Sequence, residues 1–247
     1  MTARTPEPSA PLQAGLALYA TIGVTIGLTL GLHLLPQPWG WRIAWPLLLL
    51  STYAHEMCHG LAALAVGGHF ESFRMWPDAS GIASLTTNGS AISRAITSAS
   101  GLLGPAVFAA LLFVFGCRPR LARIGLGAFG IALLLSDVLV VRNGFGLIYV
   151  GAAGALLLGL AAWLQPAWAR GVVLFLGAQL ALAVFSRADY LFTQVAKTAG
   201  GEIPSDVEAI SQALGLPYYF WGVVCGGLSL AVLWAGAWLF LRTNKVD

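Results

Sequence analysis

The stretch Trp45-Pro46-Leu47-Leu48-Leu49-Leu50-Ser51-Thr52-Tyr53-Ala54-His55-Glu56-Met57-Cys58-His59-Gly60-Leu61-Ala62-Ala63-Leu64 sets two histidines and a glutamate inside an apolar run from Ile43 to Val66. On a helix, His55 and His59 are one turn apart on one face, so two imidazoles can hold one metal ion. Glu56 follows about 100° round the helix, where a zinc hydrolase keeps the general base that works on metal-bound water. With four His and five Glu in 247 residues, chance produces this HExxH spacing in roughly one such chain in a thousand. Ionisable groups at membrane depth cost about 2.5–3.5 kcal/mol each and mark function by default. The alternative is a histidine pair hydrogen-bonded between helices with Glu56 neutral or paired. It leaves the metal-ligand spacing unexplained.

The rest of the composition fits that setting. The chain is 58% hydrophobic and 9% charged, with mean hydropathy +0.80, whereas soluble domains carry about 25% charged residues. The net charge of +3 is too small and too scattered for a nucleic-acid partner. Cys58, Cys117 and Cys225 lie in or beside apolar segments without CxxC spacing, so no disulfide framework is expected. Cys58, three residues after His55, is expected to pack rather than to ligate.

Apolar runs of spanning length, about 20 residues, occur at Leu12–Leu35, Ile43–Val66, Ile92–Gly116, Leu121–Val141, Phe145–Trp163, Gly171–Val195 and Pro217–Leu241. The expected fold is an all-α polytopic membrane protein of about seven transmembrane helices, with a small β-hairpin between helices 2 and 3. Residues 1–11 read as a disordered lead-in, 12–241 as one transmembrane domain, and 242–247 as a short tail. Seven Lys/Arg on one set of loops place the C-terminus in the cytoplasm. The hairpin is read from Gly67–Ser90. His69 to Trp76 alternates polar and apolar residues, Asp78-Ala79-Ser80-Gly81 makes a turn, and Ile82 to Thr87 is a second strand. Such a hairpin can lie on the membrane surface, or its edge can bind an extended substrate through backbone hydrogen bonds.

Later segments add detail. Ser100-Gly101-Leu102-Leu103-Gly104-Pro105-Ala106 reads as a packing surface for the motif helix. Asp137 is expected to cap a helix end or pair with Arg142. Arg142-Asn143-Gly144 is a tight turn, and Asn143 can either serve the turn or donate to a developing oxyanion. A zinc hydrolase needs a third ligand. His33, His69, Asp189 (in Ser186-Arg187-Ala188-Asp189-Tyr190) and Asp206 (in Pro204-Ser205-Asp206) are candidates, although Ser205-Asp206 also reads as an N-cap followed by a first-turn acid.

HExxHG in an apolar helix, strand-forming sequence directly after it, a Gly-Pro helix, an Arg-Asn turn and a late Ser-Asp segment follow one another in this order. Together they resemble the site-2 protease family of intramembrane zinc metallopeptidases, and most of all its compact bacterial members without a PDZ domain. The resemblance implies zinc as cofactor and Glu56 as general base, with a membrane-embedded or membrane-proximal protein as substrate. It favours the substrate-edge reading of the hairpin, with Ile82, Ala83, Ser84 and Leu85 on the edge and the Ala83 or Ser84 amide directed at the substrate. The chain lacks the Asp-Gly dipeptide that supplies the third ligand in better-known members. The match of Ser205-Asp206 to the compact members puts Asp206 ahead of Asp189, beside His55 and His59. The implied place is a bacterial inner or plasma membrane. Two rival readings are a transporter or metal permease using the His/Glu cluster as a cation site, and a catalytically inactive membrane scaffold.

Overall fold

Helix α1, Trp39–Ala65, carries the motif and ends where the sequence supplies glycine. Gly67 takes a positive φ of 79° that costs a glycine little. The amides of Gly67 and Gly68 turn back onto the Leu64 and Ala63 carbonyls. The structure is a computed structural model describing residues 20, 22–28, 31, 35, 39–186 and 188–244, without the side chains of 39, 41, 186, 188 and 189. Most of the expected first helix, with His33, and the lead-in 1–11 lie outside the described residues. Residues 22–28 are helical.

The hairpin follows as β1, His69–Met75, and β2, Gly81–Thr86, antiparallel, with a bulge between Phe70 and Ser72. It is built into the protein. Phe73 and Met75 are fully buried, and its turn is tied to α1 by Trp45 Nε1 donating to Pro77 O (2.6 Å) and Thr52 Oγ1 donating to Ala79 O (2.7 Å). Four helices come next: α2 (Ala91–Phe115), α3 (Pro119–Leu139), α4 (Gly144–Trp163) and α5 (Pro166–Ser186). Ser90 caps α2 by accepting from the Ser93 amide. The turn between α3 and α4 extends the hairpin sheet. Phe73 N donates to Val140 O (2.7 Å), and Arg142 N donates to Phe73 O (2.9 Å). Arg142 also donates to the carbonyls of Val138, Leu139 and Val141, closing the end of α3. Among the described residues no ion pair joins it to Asp137, which lies against Gly151 of α4 instead.

The sixth apolar run was expected to stay helical to Val195. The α-helix stops at Ser186, and a 3-10 turn, Ala188–Phe192, follows. After it come a second, unforeseen hairpin, β3 (Val195–Thr198) and β4 (Gly201–Pro204), a nine-residue helix α6 (Asp206–Leu214), and α7 (Tyr218–Thr243). Helix α2 is central, packing against α1, α5, α6 and α7. Five spans are long and apolar enough to cross a membrane: Ala91–Phe115, Pro119–Leu139, Gly144–Trp163, Pro166–Phe192 and Tyr218–Thr243. Helix α1 has the length, at 27 residues, but Ser51, Thr52, His55, Glu56 and His59 dilute its apolar run. The described residues thus give five such helices and two hairpins, short of the expected count of seven helices.

Candidate metal centre

One turn of α1 brings the two imidazoles together, with His55 Nε2 and His59 Nε2 3.1 Å apart. The His59 ring is fixed from behind. Its Nδ1 lies 2.7 Å from the Thr97 carbonyl, which can only accept, so Nδ1 carries the proton and Nε2 presents a lone pair. Helix α2 can come this close because residue 101 is glycine: a Cβ there would stand 2.1 Å from His59 Nε2. Ser100 Oγ, donating to Cys58 O (3.0 Å), ties the same two turns together. Cys58 packs at Gly104, and all three cysteines are free.

Asp206 reaches these rings from 147 positions further along the chain. Its Oδ2 is 3.0 Å from His55 Nε2 and its Oδ1 is 3.2 Å from His59 Nε2. The device that carries it inward is local. Fully buried Ser205 caps α6 by accepting from Glu208 N, donates its Oγ to Thr193 O (2.5 Å) and donates its amide to Gln194 O (2.9 Å). Val207 and Ile210 then bury against Ala95, Leu102 and Cys225. Ser205 is therefore the expected cap, and the acid after it faces the histidines. Burial alone would push the Asp206 carboxyl up. When protonated, the imidazoles of His59 and His55 outweigh it and hold the group well below the usual carboxylate range. The side chain of Asp189, the other acid considered, lies outside the described residues. His69 stands at the start of β1.

This donor set suits a cation. A lone pair on His59 Nε2 and two carboxylate oxygens converge, and among the described residues the buried Asp206 Oδ2 meets only His55 Nε2. One ligand atom from each of His55, His59 and Asp206 lies within 4.8 Å of the others. The two imidazole nitrogens, 3.1 Å apart, stand close to the roughly 3.3 Å edge of a tetrahedron with ligands 2.0–2.1 Å from zinc.

Glu56, 8% exposed, is held by the hairpin. Its Oε2 accepts from Ala83 N at 2.7 Å. Phe73 turns its amide and carbonyl to Val140 and Arg142, so the Phe73–Ala83 pair is a non-hydrogen-bonded one, and Ala83 faces the outer edge of β2. By strand alternation from that pair, Ile82 and Ser84 direct their backbone groups to β1 and Leu85 directs its own outward again. Asn143 is bonded to β1. Its Nδ2 donates to Met75 O (2.6 Å) and its Oδ1 accepts from Met75 N (3.1 Å), bracing the end of β1.

A cavity of about 390 Å³ opens beside His55 and Glu56, between the hairpin turn Ala79–Gly81 and the β3 segment, with Leu102, Pro105 and Leu191 among its apolar walls. Tyr190 also lines it, its ring edge-to-face with His55 at 6.0 Å. Sequence reasoning had passed over four parts of this site: Tyr190, the Thr97 carbonyl, the second hairpin and the bond from Ala83 to Glu56. A backbone carbonyl or amide leaves no mark in a sequence. The hairpin left only Gly200-Gly201 at the junction of two four-residue strands.

No curated protein and no solved structure matches the chain. The match of a family model is extensive. The apolar helices, the convergent donors and the family together make this an integral, multi-pass membrane protein of metallopeptidase type. From residue 24 to residue 236 the sequence fits the model described as Peptidase M50B-like, and the chain belongs to that family.

Proposed function

We propose that the chain is a zinc metalloendopeptidase that hydrolyses peptide bonds within or beside the membrane. The observation that carries this reading is the convergence of His55, His59 and Asp206 one helical position from a carboxylate, Glu56, beside an open cavity. Zinc, when bound by these three residues, supplies Lewis acidity and makes water nucleophilic at neutral pH. Two neutral imidazoles and one ionised carboxylate are the states such binding requires.

The chain's own residues do the rest. Glu56 accepts the proton of the attacking water and returns it to the leaving amine. One of its oxygens is engaged by Ala83, which leaves the other for the proton. The outer edge of β2, within Ile82–Leu85, offers backbone groups to an extended substrate, and an unwound chain exposes the peptide bond that a helix shields. The cavity walls Leu102, Pro105 and Leu191 accept apolar side chains of such a segment. Asn143 supports this edge through Met75. The loop charges support a cytoplasmic C-terminus.

Purified protein, incubated with a membrane-protein substrate library in liposomes, tests the reading. The wild type cleaves, Glu56→Gln retains zinc and cleaves at least about 100-fold more slowly, and His55→Ala and His59→Ala lose zinc. A zinc-free wild type, or a Glu56→Gln variant as active as wild type, overturns it. Altered cation flux in Glu56→Gln with no proteolysis in either protein would identify a transporter instead.

A further inference from the structure

We infer that the main-chain amide of Ala83 is a positioning group for Glu56, and that the edge of β2 available to substrate lies beyond it. This rests on the hydrolase reading above. The bond is short (2.7 Å) and joins a main-chain donor to a carboxylate only 8% exposed. Charge-assisted bonds shielded from water are the strong ones. A carboxylate held by one oxygen to a rigid strand cannot rotate away from the proton it is to collect, and orientation is a large part of a general base's contribution.

The strand is rigid for reasons spread over three elements. Gly81 lets β2 approach α1, because a Cβ there would stand 2.7 Å from Thr52 Cγ2 and 3.0 Å from Glu56 Cγ. Thr52 Oγ1 pins the turn at Ala79 O. On the far side Val140 and Arg142 pair with Phe73, and Asn143 grips both backbone groups of Met75. Since Phe73 is committed outward on its own side, the facing residue Ala83 must send its amide to the other edge, where Glu56 stands.

A consequence for substrate follows. An extended peptide adding to β2 finds the Ala83 N–H already taken, and the next outward amide is that of Leu85. Leu85 faces a second cleft of about 500 Å³, lined also by Arg94, Thr97, Ser98 and Gln212. The two amides therefore have different duties. Ala83 acts on Glu56, and Leu85 acts on the bound chain.

Backbone esters separate the duties, since replacing Ala83 by lactic acid, or Leu85 by leucic acid, removes one N–H and leaves the side chain. The Ala83 ester should lower kcat about tenfold or more with KM within about twofold. The Leu85 ester should raise KM with little change in kcat, and zinc content should be unchanged in both. A second readout needs no catalysis. Hydrogen exchange at the Ala83 amide should accelerate at least about tenfold in Glu56→Ala and stay slow in Glu56→Gln, whose amide oxygen still accepts, with Ile82 and Ser84 unchanged in both. If the Ala83 ester raises KM alone, or has no effect, or if Ala83 exchange is indifferent to Glu56→Ala, the inference is wrong. Failure of the wild type to cleave would defeat the hydrolase reading, and the exchange experiment would still decide the bond.

Discussion

Gly101→Ala puts a single methyl group against the metal centre. The added Cβ would stand 2.1 Å from His59 Nε2 and 2.2 Å from Cε1, where ordinary contact begins near 3.4 Å. Relief requires a displacement of about 1.3 Å, either of the imidazole or of α2 as a whole. If the ring moves, Nε2 leaves its place by far more than the roughly 0.2 Å that a metal ligand tolerates. If the helix moves, the His59–Thr97 and Ser100–Cys58 hydrogen bonds stretch, and the ring loses its support. Either route should weaken zinc binding at least about 100-fold, or about 2.7 kcal/mol, with overpacking costing the fold about 1–3 kcal/mol besides. Competition against a chromophoric chelator reads the affinity. Gly127→Ala is the control, because a Cβ there meets only the Ala161 methyl at 3.8 Å. Wild-type zinc affinity in a folded Gly101→Ala variant would refute the reasoning.

Asp206→Ala should lose zinc, and Asp189→Ala should keep it, as measured by metal content after gel filtration. Ser205→Ala removes the α6 cap, worth about 1 kcal/mol, together with the bond to Thr193 O. It should weaken zinc binding about tenfold without displacing the spans, as read by chelator competition and circular dichroism. Asn143→Ala strands the amide and carbonyl of Met75, at about 1–3 kcal/mol for a buried group left unpaired. It should lower the thermal midpoint while zinc content stays at the wild-type value.

What the sequence made legible follows the range of the interactions involved. His55, Glu56 and His59 were readable because one helical turn fixes their geometry without help from the rest of the chain. The turn at Arg142–Gly144 was readable because three polar residues between two apolar runs leave few alternatives. Asp206 was reachable only by likeness to a family segment. Its depth depends on the Ser205 bonds to Thr193 and Gln194 and on a hairpin whose strands are too short to show a period. Which of Ala83 and Ser84 turns outward depends on Phe73 pairing with Val140 and Arg142, nearly 70 residues further on, and the strand's own pattern does not record that. The end of α5 at Ser186 was missed because Tyr190-Leu191-Phe192 continue the apolar composition, and hydropathy does not report where the backbone leaves the α-helix.

X-ray absorption at the zinc edge of the purified wild-type protein is the most direct test of the centre. About one zinc per chain is expected, with two imidazole ligands and further oxygen ligands near 2.0–2.1 Å and no sulfur. The signal should disappear from Asp206→Ala prepared identically. A sulfur shell near 2.3 Å, which would bring Cys58 into the site, or an unaltered spectrum in Asp206→Ala, would contradict this ligand set.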